Sequence, residues 1–183
     1  MIIFETERLI VREWTPDDIE AAFRLYGDPE VMRYLAAPPP GVAVADLAQM
    51  RERMQQLFDS GPKLRPMGLW AIQKKADSSV VGSILVKPIQ TTDVIEIGWH
   101  LARAEWGQGL ATEAALAARD YAFEIAGVDD LVAIAIPENE PSLAVMRRIG
   151  LKDRGFTDRF HDYRLALFGL TREEWASRLS QSD

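Results

Sequence analysis

Trp106-Gly107-Gln108-Gly109-Leu110-Ala111-Thr112-Glu113-Ala114-Ala115 reads as a phosphate-binding turn that opens a helix. Before it, Val94 to Leu101 reads as a strand. After it, Ala111, Ala114, Ala115, Ala118, Tyr121, Ala122 and Ile125 recur at helical spacing until Gly127 supplies a stop. Glycines at 107 and 109 let the backbone approach a ligand closely. The first N–H groups of the helix have no intrahelical acceptor and can donate to an anion, so this end suits a pyrophosphate.

Two better-known phosphate loops do not fit. A Walker loop needs Gly-Lys followed by Ser or Thr, and Gly109 is followed by Leu110. A dinucleotide fingerprint needs a third glycine where Thr112 stands and an acidic residue about 20 positions on, whereas Glu138 comes too late. The 183 residues show no composition break or repeat and predict one domain, 1–183. No apolar run approaches the ~20 residues needed to cross a bilayer, and Met1 to Glu5 lacks the basic start and apolar core of a signal peptide. A soluble, cytoplasmic protein is expected. With no cysteine, acyl transfer through a cysteinyl intermediate is excluded, as are disulfides and thiolate metal ligands. Two isolated histidines, His100 and His161, form no metal-ligand spacing, and no metal is expected. Gly82-Ser83-Ile84-Leu85 lacks the second glycine of a hydrolase elbow. A net charge of -7 argues against a nucleic-acid binder and favours a cationic or amine substrate.

In chain order, Leu9 to Trp14 predicts a strand. Thr15-Pro16-Asp17-Asp18 then starts a helix reaching about Tyr26, with Thr15 as cap. Asp28-Pro29-Glu30 starts a short helix carrying Val31, Met32, Tyr34 and Leu35 until Pro38-Pro39-Pro40 breaks it. Val44 to Phe58 is helical, closed by Gly61-Pro62, with Leu47, Met50, Met54, Leu57 and Phe58 as its apolar positions. Leu69 to Lys74, Val80 to Val86 and Val94 to Leu101 form an antiparallel meander with short links. Leu131 to Ile136 follows the long helix and, by the right-handed crossover rule, lies parallel to Val94 to Leu101. A helix after Pro137-Glu138-Asn139-Glu140-Pro141 presents Leu143, Met146 and Ile149 and stops at Gly150. Arg154 to Arg159 and His161 to Phe168 are the last strand candidates, before a closing helix from Thr171. The fold class is α/β (α+β): a mixed, strongly twisted sheet, an antiparallel meander followed by a parallel pair, with helices on both faces.

The glycine stretch resembles the acetyl-CoA loop of the GNAT superfamily of N-acetyltransferases, whose pattern is Arg or Gln, two residues, Gly, one residue, then Gly or Ala. Gly109 and Ala111 match it, and Trp106 departs. Asn139-x-x-Ser142 with Met146 and Ile149-Gly150-Leu151 resembles the second motif of the family, with Leu151 replacing the usual Phe. Thr6-Glu7-Arg8-Leu9 and Asp28-Pro29-Glu30-Val31 are similar to the ribosomal-protein (RimJ/RimL-like) branch, and the likeness spans nearly the whole chain. It implies transfer from acetyl-CoA, as co-substrate, to a primary amine. The acceptor is a small molecule or a peptide, with a protein N-terminus favoured by the branch. No nucleic acid or membrane partner is expected, and a homodimer is left open. The alternative is a non-catalytic acetyl-CoA-binding module of the same fold, since Trp106 and Met146 both depart from the pattern.

An alkylammonium, with a pKa near 10, must lose a proton before it attacks a thioester, so a base is needed. Glu96 sits on a strand where an unpaired carboxylate is costly; it is either on a wet face or placed for use. The family often carries a catalytic glutamate there. His100 shares its side under strict alternation and is the second candidate, unless a bulge at Gly98 changes the parity. Backbone N–H groups near Trp99, His100 and Leu101, left unpaired where the parallel strands splay, are candidates for holding the oxyanion. Many members use a Tyr near the position of Met146 to protonate the thiolate. It is missing here, so Ser142 is the candidate acid, with a water or Tyr163 as substitutes. Cofactor contacts fall to Gly107, Gln108, Gly109, Leu110, Ala111 and Thr112 through their N–H groups, to Trp106 by packing, and to Asn139 and Ser142. Asn139 is equally a helix cap, and Arg103 either reaches a phosphate or stays solvated.

Overall fold

Alternating and fully apolar runs pair edge to edge in the computed structural model, which describes residues 1–35 and 42–179. The strands are β1 (Ile2–Glu5), β2 (Leu9–Arg12), β3 (Gly68–Lys74), β4 (Val80–Pro88), β5 (Ile95–Leu101), β6 (Asp130–Ala135), β7 (Lys152–Thr157) and β8 (Leu165–Thr171). They form one sheet in the order β1-β2-β3-β4-β5-β6-β8-β7. Neighbours are antiparallel except β5 and β6, which are parallel as the crossover rule requires.

The helices are α1 (Ile19–Tyr26), α2 (Pro29–Met32), α3 (Leu47–Ser60), α4 (Leu110–Glu124), α5 (Glu140–Arg148) and α6 (Arg172–Leu179). They divide between the faces because strand side chains alternate. Trp70 and Ile72 of β3 pack with Ile84, Val86, Ile97 and the α4 residues Leu110, Ala114, Ala118 and Phe123. Ala71, between them, faces Trp14, Ala22, Met50 and Met54 on the α1 and α3 side. The alanines of α4 bring its backbone close to the sheet, and Phe123 is fully buried, so Phe123→Ala should cost ~3–5 kcal/mol.

Several boundaries differ from the sequence reading. β1 was not foreseen: its four residues are only half-buried in the middle and carry neither period. The first predicted strand ends at Arg12, where Arg12 turns to pair with Asp18 at 2.7 Å. Thr15 stands at the N-cap as the sequence predicts, and the Asp18 carboxylate reaches back to accept from the Thr15 amide and hydroxyl, completing a capping box. The helix after Asp28 ends at Met32, leaving Tyr34 and Leu35 beyond it, while Pro38-Pro39-Pro40 lies outside the described residues. α3 begins at Leu47 because the Asp46 side chain accepts from the Gln49 amide at 2.9 Å. The final strand runs from Leu165 to Thr171, not His161 to Phe168. It is inserted between β6 and β7 and buried on both faces, so it has no alternation to mark its start.

Candidate active site

The chain leaves β5 through a short 3-10 turn at Arg103–Glu105 and reaches α4 through Gly107 and Gly109, at φ 75° and 78°. These left-handed conformations are strained for most side chains. The first intrahelical bond at this end runs from the Glu113 amide to the Gly109 carbonyl. The amides of Leu110, Ala111 and Thr112 are therefore free of intrahelical acceptors, and all three residues line a groove of about 1090 Å³. α5 forms the opposite wall through Pro141, Ser142, Val145 and Arg148.

Arg8 clamps this turn from 100 residues away. Its guanidinium donates to the Gln108 carbonyl at 3.0 Å and to Glu113 at 2.6 Å, and the Thr6 hydroxyl also donates to Glu113 at 2.6 Å. Burial alone would raise the Glu113 carboxyl, but these donors hold it below its ordinary range. Arg8 lines the groove, so a cation stands beside the free amides. The Gln108 side chain turns the other way, donating to the Ala104 carbonyl at 3.1 Å, and is not part of the groove wall. Arg103 is also outside it, facing Asp28 at 3.5 Å.

β5 and β6 pair only at Ile95 with Leu131 and Glu96 with Val132, then separate. The β4–β5 ladder is unbroken from Ile95 to Leu101, so no bulge occurs at Gly98, and Glu96, Gly98 and His100 share one face. The Ala102 amide bonds to β4, which by alternation turns the Trp99 and Leu101 amides into the gap between β5 and β6. Trp106 has a role there that its motif position did not suggest. Its indole N–H donates to the Leu101 carbonyl at 2.8 Å, closing that acceptor while the ring lines the groove.

A second space of about 440 Å³ opens on the α1 and α3 side of the same gap, with Glu96, His100, Tyr26, Lys87 and Met146 in its wall. It and the groove share Trp99, His100, Asn139 and Ser142. The Glu96 side chain is 17% exposed, with the Lys87 ammonium at 3.9 Å. Burial pushes its pKa up, against the weaker pull of Lys87. His100 Nδ1 lies 3.1 Å from the Tyr26 hydroxyl and 3.2 Å from that of Ser83, and those two hydroxyls are 2.5 Å apart. Burial first, then Lys87, lowers His100 to about 4, while burial raises Tyr26 to about 12. Neutral His100 has one nitrogen engaged and little basicity; Glu96 faces Lys87 but makes no side-chain hydrogen bond among the described residues, and burial strengthens its carboxylate as a base. Chemically, Glu96 is the better proton acceptor.

Asn139 caps α5, its side chain accepting from the Ser142 amide at 3.3 Å, and also faces both spaces. Tyr163 is not in either wall; it stacks on His161, and its buried hydroxyl has no partner among the described residues. Arg8, Arg148, Tyr26 and Lys87 were missed as site residues. Only Lys87 left a signal, since pairing the meander sets it directly opposite Glu96. Among the described residues no cluster of His, Asp or Glu could hold a metal, and no helix is long and apolar enough to cross a membrane.

The chain matches the family described as Acetyltransferase (GNAT) domain over residues 8–152. It is 29% identical over 180 residues to the uncharacterized N-acetyltransferase p20 of Bacillus licheniformis, covering 93% of this chain and 97% of that one. A GNAT-family acetyltransferase from Bacillus anthracis superposes with a TM-score of 0.80 at 24% identity, over 95% of this chain and 100% of that one. RimL, a ribosomal L7/L12 alpha-N-protein acetyltransferase solved with coenzyme A, superposes with a TM-score of 0.78 at 16% identity, over 93% and 98%. At these identities the two structures speak to the fold.

Proposed function

Since this chain belongs to the GNAT acetyltransferase family, we propose that it moves an acetyl group from acetyl-CoA directly to a primary amine, a protein N-terminus being one candidate acceptor. The observation that carries this reading is the junction of groove and cavity at Trp99, His100, Asn139 and Ser142, with Glu96 in the cavity wall. The glycine turn, the free amides of α4 and the Arg8 and Arg148 cations suit a pyrophosphate. The thioester then lies in the gap between β5 and β6.

In this scheme Glu96 accepts the proton of the incoming ammonium, directly or through a water, and passes it to solvent; the neutral amine attacks the thioester carbonyl, and the second proton that its nitrogen then sheds leaves by the same route. The Trp99 amide donates to the oxyanion. As the carbon–sulfur bond breaks, the Ser142 hydroxyl donates to the leaving thiolate and is reprotonated from solvent. The products are an N-acetylated amine and free CoA. Met146, buried where the family often has tyrosine, favours a second reading, a binding module without turnover. In this direct scheme both substrates are bound together, and the chain has no cysteine to carry the acetyl group. Initial rates with both substrates varied should give intersecting lines, and parallel lines would contradict direct transfer.

A further inference from the structure

Helix α3 turns Met50, Met54 and Leu57 into the acceptor cavity at helical spacing, and Arg53 stands in the same stripe. A guanidinium stays charged at any working pH, and one half-buried beside methionine and leucine in the cavity wall is placed to take an anion that enters the cavity. Among the described residues no hydrogen bond or ion pair engages the Arg53 side chain. It lies close enough to the Tyr26 hydroxyl for its charge to act there, which places it toward the His100 end of the cavity.

The charged groups of the cavity wall are Arg53, Lys87 and Glu96, besides the neutral His100 and His161. Lys87 already faces Glu96, so one cation is left over. The local balance thus opposes the net charge of -7 on the whole chain. A polycationic acceptor would meet repulsion there, whereas an attacking ammonium would have its own pKa lowered toward the free amine. Much of the remaining wall is apolar, with Trp14, Leu35, Ile89 and Met146 facing the space beside the α3 stripe, while Gln90, Asn139 and Ser142 add neutral polar groups.

We propose that Arg53 binds an anionic group of the acceptor, making the substrate a primary amine that carries a carboxylate on an apolar body, of the kind an apolar amino acid presents. This rests on the amine-acetylation reading above and narrows it. A carboxylate would take the two parallel N–H groups of the guanidinium while its amine faces Glu96.

The test is CoA release from acetyl-CoA with matched acceptors: leucine, leucinamide and 3-methylbutylamine, the phenylalanine counterparts, a leucyl peptide amide, and spermidine. The intact enzyme should prefer each amino acid over its amide and its decarboxylated amine by ~10–100-fold in kcat/KM, the size of a charge-assisted pair. Arg53→Gln should bring that ratio close to one by raising KM for the carboxylated acceptor, and Arg53→Lys should restore part of it. A role confined to packing would lower all acceptors alike. Equal or better use of the uncharged amines or spermidine by the intact enzyme, or equal losses in Arg53→Gln, overturns the inference and leaves amine acetylation standing. If no amine of any kind releases CoA, both fall together.

Discussion

Replacing Glu96 with glutamine removes the carboxylate and keeps the shape, so it separates proton transfer from packing. The acceptor enters as an ammonium with a pKa near 10, of which only about one part in a thousand is free amine at pH 7. Losing a positioned base costs ~10²–10⁴ in rate, or about 3–5 kcal/mol of transition-state stabilisation. Binding of acetyl-CoA should hardly change, because Glu96 lines the cavity and not the groove. The sign of the stability effect is opposite. Burial raises the folded-state pKa of Glu96, so the fold binds this proton more tightly than the unfolded chain. Stability is therefore full below the ordinary glutamate value and falls as pH rises to the raised one. At neutral pH the charged carboxylate is a net cost, and Glu96→Gln should hold or raise Tm while the rate collapses. Wild-type kcat/KM should also fall on the acid side above the usual carboxylate range, and the variant should lack that limb. The assay is steady-state CoA release across pH, with Tm from thermal unfolding. A near-normal rate with an unaltered pH profile in Glu96→Gln, while His100→Gln loses both, would refute the choice of base.

Gly109→Asp should abolish acetyl-CoA binding by titration calorimetry. Asp is among the side chains that tolerate φ 78°, and its Cβ would meet only Arg8 at 3.6 Å, so the loss comes mainly from a carboxylate beside the proposed pyrophosphate site. Tight NADH binding to the unmodified chain, with no heat from acetyl-CoA, would instead make the turn a dinucleotide site. For His100, the unfolded chain takes up a proton near 6.5 and the folded one only near 4. Stability from this group is full above pH 6.5 and is lost as pH falls toward 4, by up to about 3 kcal/mol. Urea unfolding at pH 7 and pH 4 should show a smaller acid loss in His100→Gln than in wild type; parallel losses would show that burial of the imidazole does not carry the effect.

The glycine turn was legible because its signals are local: a strand, two glycines and a helical repeat within about 30 residues. The parallel β5–β6 pair followed from it by a chirality rule. What escaped depended on distance or on residue type. Arg8 is remote in sequence from the turn it clamps, and nothing near it pointed to Gln108. Arg53 escaped because a search for helical periodicity counts apolar residues and passes over the cation in their stripe. Trp106 looked like a lost motif residue, yet its indole closes the Leu101 carbonyl, a backbone role that no side-chain pattern encodes. β8 was misplaced because burial on both faces erased its period, and the half-buried β1 carried none.

On the proposed function, the junction of groove and cavity performs the transfer and does not merely hold a thioester. This is tested most directly by mixing the wild-type protein with acetyl-CoA and a library of amines, while following free thiol and acetylated product together. For at least one acceptor class, CoA should be released in step with an N-acetylated amine. Acetyl-CoA binding with no CoA released from any amine would contradict it and leave a module that binds without turnover.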